Sequence, residues 1–186
     1  MNIICENKSN LNFNKTMEIL SFWNSMHSML DTAQFQYLFI KKKIFVEKYL
    51  DKELIDYKIF CFNGQPKFIQ IKKVLNKTKH TYLHNHYDVN WKLTEIESGL
   101  KGYLRDPNIK INKPKNLKLM LKYAKKLSQE FVFVRVDLYE VNNTVYLGEL
   151  TFSPSNGLAK WKNIEQNIQI GNLMDIRKIK SYLFNQ

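Results

Sequence analysis

The stretch that decides the fold is Phe131–Gly157, FVFVRVDLYEVNNTVYLGELTFSPSNG. Two runs rich in β-branched and aromatic residues flank Asn142-Asn143, a pair typical of turns, and this arrangement predicts a β-hairpin. From Val134 to Tyr139, valine and leucine alternate with arginine, aspartate and tyrosine. Because successive side chains of a strand point to opposite faces, the hairpin should have one apolar face and one polar face.

The pairing register of this hairpin decides which residues meet. A two-residue loop would place Glu149 opposite Val136, on the apolar face. A loop of odd length, such as three residues with an asparagine in the left-handed region, would place Asp137 opposite Glu149 and Arg135 opposite Thr151. We predict the odd register, because a slip of one residue would bury the Glu149 carboxylate.

Two acids and an arginine side by side on rigid strands suggest a divalent metal with a phosphate. Mg²⁺ is held by one or two carboxylates, and phosphate oxygens complete its octahedron. Asp137 and Glu149 would hold the ion, and Arg135 would face phosphate or a developing oxyanion. The alternative is a surface ion pair on an ordinary hairpin.

The hairpin resembles the metal-binding hairpin of the ATP-grasp superfamily, whose pattern is R-x-D, a turn, then E-x-N. Here the pattern stands as RVD at 135–137 and ELT at 149–151. The longer text FVRVDLYEVNNTVYLGELTFSPSNGL is similar to the TupA-like ATP-grasp family, which is associated with cell-surface polysaccharide and teichuronopeptide biosynthesis. The resemblance extends upstream through IFVEKYLDKELIDYKIFCFNGQPKFIQI and covers nearly the whole chain.

The resemblance implies ATP and Mg²⁺ as cofactors. It implies Asp137, Glu149 and Thr151 as metal ligands and Arg135 as a catalytic residue. Thr151 occupies the position of the usual asparagine ligand, and its hydroxyl is a weaker ligand.

The segment Ile44–Leu50, IFVEKYL, predicts a strand that runs into a linker. The resemblance implies that its backbone receives the adenine edge, through Glu47, Lys48, Tyr49 and Leu50. Backbone N–H and C=O groups suit adenine, and apolar neighbours can hold the ring. An edge strand with a mixed face is the alternative.

A second hairpin is predicted over Leu54–Val74, because Asn63-Gly64 is a strong hairpin-turn signal. By resemblance, Asp56 would contact the ribose hydroxyls, and Lys58 would contact phosphate or the acceptor substrate as a catalytic residue. Both side chains could instead be ordinary exposed strand charges.

The stretch 78–88, TKHTYLHNHYD, holds three of the four histidines. His80, His84 and His86 have the same parity, so on a strand they would share one face. A zinc site is disfavoured, because such sites generally need ligands from a second segment and hydrogen-bonded outer partners. We favour a basic strand that faces phosphate or substrate.

Two segments have helical periodicity, and Asn116 is a plausible cap of the second. The apolar positions of the first are Phe13, Met17, Leu20, Trp23, His27 and Leu30. Those of the second are Leu117, Met120, Leu121, Ala124, Leu127 and Phe131. We interpret His27 as a core or boundary histidine, and residues 91–114 as an irregular connection.

The composition limits the compartment and the partners. A net charge of +12 implies anionic partners such as a nucleotide, an anionic sugar or an amino-acid substrate. No nucleic-acid motif accompanies the charge, so nucleic acid is ranked last. Cys5 and Cys61 lie in apolar strand-like runs and predict buried thiols in a reducing cytoplasm. No apolar run approaches the roughly 18 residues of a membrane-spanning helix.

Only six glycines occur, none before Asn63, and the family's glycine-rich loop and first-half lysine are not found. We therefore expect the C-terminal part of such an enzyme, with half of the small lid subdomain at 1–46 and the large subdomain at 47–186. Three origins are open: a truncated gene, a separate polypeptide that supplies the rest, or a shortened relative with another role. This chain alone should bind Mg-nucleotide weakly.

The sequence as a whole predicts an α+β fold, with two mainly antiparallel hairpin units in one sheet backed by the two helices. The predicted function is an ATP-grasp domain of a Mg-ATP-dependent ligase in cell-surface polysaccharide assembly. It would join a carboxylate to an amine through an acyl phosphate. A glycosyltransferase-associated role and a non-catalytic module that binds nucleotide or acidic glycan are the alternatives.

Overall fold

A computed structural model describes residues 3–25, 40–50, 54–76 and 78–177. The chain divides into two units, Met1–Lys52 and Glu53–Gln186. The first unit contains helix α1 (Phe13–Ser25), which confirms the N-terminal part of the first predicted helix. His27 and Leu30 lie outside the described residues.

The strands predicted in the first unit are not found. Neither Ile44–Leu50 nor Ile3–Cys5, the described part of the strand-like run around Cys5, has regular secondary structure. A strand needs a neighbour to pair its backbone groups, and the described residues of this unit include no strand. Val46 is 96% exposed, so the apolar residues of the segment do not replace that pairing with core contacts.

The second unit is built on a six-stranded sheet in the order β4-β3-β2-β1-β5-β6. The strands are β1 (Asp56–Phe62), β2 (Gln65–Asn76), β3 (Thr81–Asp88), β4 (Tyr103–Leu104), β5 (Phe133–Val141) and β6 (Thr144–Thr151). Among the strands of the described residues, β3 and β4 alone pair in parallel. The predicted α+β class with a mainly antiparallel sheet is confirmed, whereas the lid assignment of the first unit stays a prediction.

Both predicted hairpins close with two-residue turns whose backbones are left-handed. The φ angles are 49° and 75° at Asn63-Gly64, and 48° and 64° at Asn142-Asn143. Positive φ at both central positions is the property of the type I′ turn, and asparagine and glycine tolerate it best. The turn chemistry of the sequence therefore correctly located both hairpins.

A one-residue β-bulge sets the register of the β5–β6 hairpin. Asp137 lies opposite Glu149 and Arg135 opposite Thr151, so the predicted register is confirmed. The predicted odd loop is wrong, because Leu138 pairs with Leu147 and Gly148 is the extra residue. A Cβ atom at Gly148 would lie 2.4 Å from Cε2 of Tyr139, which explains the glycine.

The β1–β2 hairpin has the same construction. Cys61 pairs with Pro66 and Phe60 with Phe68, so Lys67 is the extra residue. Without this bulge, Lys58 would lie opposite a residue of β2 that, in the structure, points to the other face of the sheet. With the bulge, Lys58 lies opposite Gln70, and the polar residues of both strands share one face.

One face of the sheet packs against helix α2 (Leu117–Ser128). Its buried members include Tyr57, Ile59, Cys61, Ile69, Ile71, Val134, Val136 and Leu138 from the strands, with Leu117, Met120 and Ala124 from α2. Asn116 precedes the helix as predicted, but its side chain makes no capping hydrogen bond. It donates instead to Oε1 of Glu140 at 2.7 Å.

The opposite face has an aromatic half, formed by Phe60, Phe62 and Phe68. Ile170 of helix α3 (Ile164–Gly171) and Trp161 pack against it. Of the two periodic helices, α2 backs the sheet as predicted, and α3 is a further helix that packs on it. Within the second unit, α2 and α3 pack on opposite faces, and α1 belongs to the first unit.

The connection between β3 and α2 is irregular, as predicted, except for the two residues of β4 and isolated bridges. Its backbone is held by side chains such as Asn85, which donates to Asp106 O at 2.8 Å. Within the described part of the chain, no helix combines the length and apolar character needed to cross a membrane.

Candidate functional site

A row of polar side chains crosses five strands on the face opposite α2. The cross-strand partners, from β6 to β3, are Glu149, Asp137, Lys58, Gln70 and His86. A second, shorter row, one pleat along, contains Asp56, Lys72 and His84. Buried polar groups are costly unless they are paired, so the partners of each group determine what this face can do.

Asp137 is the centre of an ion-pair cluster. It is only 1% exposed, and both of its oxygens accept hydrogen bonds. Arg135 donates from Nε to Oδ1 at 2.7 Å and from Nη2 to Oδ2 at 2.8 Å. Lys58 Nζ donates to Oδ2 at 2.6 Å. The two cations are therefore held in fixed positions by one buried carboxylate.

Lys58 also forms an ion pair with Asp56, 2.5 Å from its Oδ2. With Arg135 and Asp137, the cluster has two positive and two negative groups. Burial raises the pKa of Asp56, and the neighbouring Lys58 opposes that rise. Oδ1 of Asp56 is buried and has no hydrogen-bond partner. This acceptor could bind a donor group of a ligand.

Glu149 and Thr151 complete the predicted metal hairpin. The Thr151 hydroxyl oxygen accepts from Arg135 Nη2 at 3.0 Å. Glu149 is exposed, and among the described residues it has no hydrogen-bond or ion-pair partner. Its carboxylate is therefore the one most accessible to a cation from solution.

The donor set fits Mg²⁺ when phosphate oxygens complete the coordination. Among the described residues, no group of three or more His, Cys, Asp or Glu side chains could hold a metal by itself. A carboxylate has about four lone-pair sites, and Asp137 uses one on Oδ1 and two on Oδ2. One site on Oδ1 and the whole of Glu149 remain, and one or two carboxylates are sufficient for Mg²⁺ with phosphate.

Next to this cluster, a chain of hydrogen bonds links β3 to β2. Nε2 of Gln70 lies 3.0 Å from Nε2 of His86 and 3.3 Å from Nδ1 of His84. Nδ1 of His86 lies 3.1 Å from the carbonyl oxygen of Ile96. Both imidazoles are almost fully buried, with exposed fractions of 7% for His84 and 0% for His86.

The partners of this chain determine the tautomer of each ring. A carbonyl only accepts, so His86 donates from Nδ1 to Ile96. Burial lowers the pKa of His86 to about 4, so at neutral pH its Nε2 is unprotonated and accepts from Gln70. The Gln70 amide therefore presents its NH₂ group, which also donates to Nδ1 of His84.

His84 is left with its proton on Nε2. Burial is the largest cause that lowers its pKa to about 3, so the ring is neutral at pH 7. With Nδ1 accepting from Gln70, the N–H group is at Nε2, and this atom is buried without a hydrogen-bond partner.

The prediction that three histidines share one strand face is wrong for His80. This residue lies in the turn before β3, with φ of 48°. The prediction of a basic strand is corrected for His84 and His86, because both are neutral through burial. The positive charges that act on His84 belong to Lys72, Lys58 and Arg135.

The structure brings together Asp56, Lys58, Arg135, Asp137 and Thr151, with Glu149 opposite Asp137. It does not test the adenine-side prediction. Glu47, Lys48, Tyr49 and Leu50 belong to the first unit, where they have no regular secondary structure and are largely exposed.

Sequence reasoning did not single out Gln70 and Lys72 as site residues. The alternation along β2 shows that Gln70 and Lys72 point to the same face. The bulge at Lys67 decides whether that face is the one with Lys58 or the one that packs on α2. Lysine 67 carries no turn or glycine signal, so the alignment of the two strands could not be read from the residues.

The sheet is mainly antiparallel, and two neighbouring strands place the carboxylates of Asp137 and Glu149 opposite each other. This arrangement is compatible with the ATP-grasp class of nucleotide-binding domains. The chain belongs to the TupA-like ATPgrasp family, whose model matches residues 1–175 of the 186. The resemblance stated from the hairpin residues is confirmed. No curated protein and no solved structure gave a significant match.

Proposed function

We propose that this ATP-grasp domain serves a Mg-ATP-dependent ligase that joins a carboxylate to an amine in cell-surface polysaccharide assembly. The observation that carries the proposal is the placement of Asp137, with two fixed cations on its oxygens and Glu149 opposite. Carboxylates for a metal and cations for phosphate are the two parts that phosphoryl transfer requires of a protein.

In this proposal, Asp137 and Glu149 hold Mg²⁺, and Thr151 contributes its hydroxyl as a weak third ligand. When bound, the ion neutralises charge on the nucleotide phosphates. Arg135 and Lys58 are catalytic residues, because their N–H groups face the negative charge that spreads over the transferred group. Asp137 keeps both cations from rotating away, so little reorganisation is needed during the reaction.

The reaction would have two displacements. An oxygen of the substrate carboxylate attacks the γ-phosphorus of ATP, the bond to the ADP oxygen breaks, and an acyl phosphate forms. The amine nitrogen then attacks the acyl carbon, phosphate leaves with the bonding electron pair, and the nitrogen loses a proton to solvent. The unpaired oxygen of Asp56 is proposed to accept from a ribose hydroxyl, and Glu47, Lys48, Tyr49 and Leu50 to line the adenine.

A second candidate function is a non-catalytic module that binds an acidic glycan. The observation in its favour is a groove of about 690 Å³ along α2, on the face of the sheet away from Asp137. Four lysines are among its lining residues: Lys115, Lys118, Lys122 and Lys125. Cations repeated along a helix suit a repeating anionic polymer.

Calorimetry with Mg-ADP separates the two functions. The ligase proposal expects Glu149→Gln to weaken Mg-ADP binding by about tenfold or more, because a charged ligand contact is lost. Glu130→Gln is the matched control, since Glu130 is also exposed but lies after α2. It should leave binding unchanged.

Phosphate release with mixed carboxylates and amines then tests turnover. Asp137→Asn and Arg135→Lys should each lower it at least tenfold in any preparation that turns over. Equal Mg-ADP affinity in Glu149→Gln and Glu130→Gln would contradict the nucleotide site. If Lys118→Met with Lys122→Met abolished binding of an acidic polysaccharide at the same time, the binding module would replace the ligase.

A further inference from the structure

We propose that His84 and Lys72 form a binding site for an oxyanion, a carboxylate or phosphate group of a ligand. His84 would donate from Nε2, and Lys72 would supply the positive charge. The two residues lie on β2 and β3, and Lys72 also lies opposite Asp56 of β1; no hydrogen bond of the described residues joins them to Glu149 or Arg135.

His84 has a buried donor, Nε2, without a hydrogen-bond partner. An N–H group that is buried without a partner loses its hydrogen bonds to water and gains none in exchange, so folded proteins rarely keep one. The folded structure fixes this unpaired N–H group in place, because Gln70 donates to Nδ1 of His84 and thereby leaves the proton on Nε2. None of the described residues provides an acceptor for this donor, and a ligand oxygen would provide one.

Lys72 places a positive charge beside this donor. It lies directly opposite His84 in the β2–β3 pair. Its ammonium lies 4.4 Å from the centroid of the Tyr82 ring and 5.5 Å from that of Tyr103. Among the described residues it forms no ion pair. The aromatic rings hold the amine in place without neutralising it.

The imidazole of His84 is held in a fixed orientation. The ring of His84 packs against Tyr103, with centroids 4.1 Å apart, and Gln70 holds its Nδ1 edge. Gln70 is itself held by His86, whose other nitrogen is fixed by a backbone carbonyl. The donor is therefore preorganised by a relay that ends on the main chain, as in sites that bind a ligand without rearrangement.

The same relay argues against a metal at this site. A metal ligand must offer an unprotonated nitrogen, whereas Nε2 of His84 bears the proton and Nδ1 is occupied. A fixed donor beside an ammonium that forms no ion pair among the described residues selects an acceptor with negative charge. This combination defines the ligand class as an oxyanion.

The first test is the tautomer, measured by long-range ¹H–¹⁵N NMR of the histidine rings at pH 7. His84 should be protonated on Nε2 and His86 on Nδ1. Titration with sodium acetate and with sodium phosphate, at constant ionic strength, should shift the His84 Nε2–H resonance. One ion with two contacts should bind with a dissociation constant of about 1–10 mM. The tighter of the two ions distinguishes a carboxylate ligand from a phosphate ligand.

Variants in matched pairs test the contribution of each residue. Lys72→Met should weaken binding of the preferred ion by about tenfold, whereas Lys73→Met, its neighbour on the other face, should not. His84→Asn should likewise weaken binding, whereas His80→Asn in the exposed turn should not. The ¹H–¹⁵N backbone spectrum of each variant verifies folding.

Gln70→Met tests the relay without a change of charge. It removes the donor that fixes the tautomer, so His84 should populate both tautomers and bind the ion several-fold more weakly, although His84 and Lys72 remain. The proposal is overturned if His84 is protonated on Nδ1 in the wild type, if neither ion shifts its resonance at about 100 mM, or if Lys72→Met and Lys73→Met bind equally. If the matched variants fail to fold, the wild-type tautomer and titration still decide between these outcomes.

Discussion

Asp137 lies directly opposite Glu149 across the β5–β6 pair, although the turn between them has only two residues. The bulge at Gly148 makes this possible. Without the extra residue, a two-residue turn would place Val136 opposite Glu149 instead of Asp137. The distance between these two acids and their common face therefore depend on one glycine outside the turn.

Gly148→Ala should destabilise the protein by about 1–3 kcal/mol. The new Cβ would lie 2.4 Å from Cε2 of Tyr139 and 3.3 Å from the backbone oxygen of Asp137. Urea unfolding followed by circular dichroism measures the loss. Gly171→Ala is the control, since a Cβ there meets nothing within 4 Å, and it should be neutral or slightly stabilising. Equal stabilities would mean that the bulge tolerates a side chain.

The coupling between Lys58 and Asp137 should be large for a single ion pair. Their side chains are 13% and 2% exposed, so loss of one partner leaves a buried charge. A double-mutant cycle with Lys58→Met and Asp137→Asn should give a coupling energy of about 1–3 kcal/mol. The same cycle on Lys162 and Glu97, whose side chains are 57% and 27% exposed, should give about 0–1 kcal/mol. Similar values for both pairs would show that Asp137 does not organise the cluster.

The protein should lose stability as the pH falls from 6.5 towards 4. Burial lowers the pKa of His84 from 6.5 to about 3 and that of His86 to about 4. Between these values the unfolded chain binds protons that the folded chain does not, so each histidine contributes a loss of up to about 1.4 kcal/mol per pH unit.

Between pH 6.5 and 4, Lys58, Lys72 and Arg135 stay positively charged, and their charges oppose the protonation of His84. Asp56 acts in the opposite direction at lower pH, because its raised pKa lets the folded state bind a proton first. Urea unfolding at pH 7, 6 and 5 measures the slope. His84→Asn should reduce the slope of the unfolding free energy against pH by the equivalent of nearly one bound proton. An unchanged slope would contradict the burial of His84.

Cys61 should react with iodoacetamide at pH 8 far more slowly than Cys5. Burial raises the pKa of the Cys61 thiol to about 12, whereas Cys5 is only half-buried. Mass spectrometry of timed samples should find Cys5 modified first, with Cys61 modified only when urea is added. Rapid modification of Cys61 in the native protein would mean that the core between α2 and the sheet opens readily.

The sequence determined the two hairpins and the family. Asn63-Gly64 and Asn142-Asn143 correctly located the two turns, because few other residues accept positive φ there, although the loop length predicted at Asn142-Asn143 was wrong. Alternation along β5 placed Val134, Val136 and Leu138 in the core. Local chemistry of this kind is readable from neighbouring residues. The ligands of metal and nucleotide inferred by resemblance stay predictions.

Only the tertiary structure decided which polar groups meet across strands. The bulges at Lys67 and Gly148 set the parity of two hairpins, and sequence patterns do not specify where an extra residue is inserted. The neutrality of His84 arises from burial, a property of the assembled sheet and its covering chain. Segments such as Ile44–Leu50 have strand-like composition, but a strand forms only where a neighbour pairs its backbone, and that neighbour is not a local property.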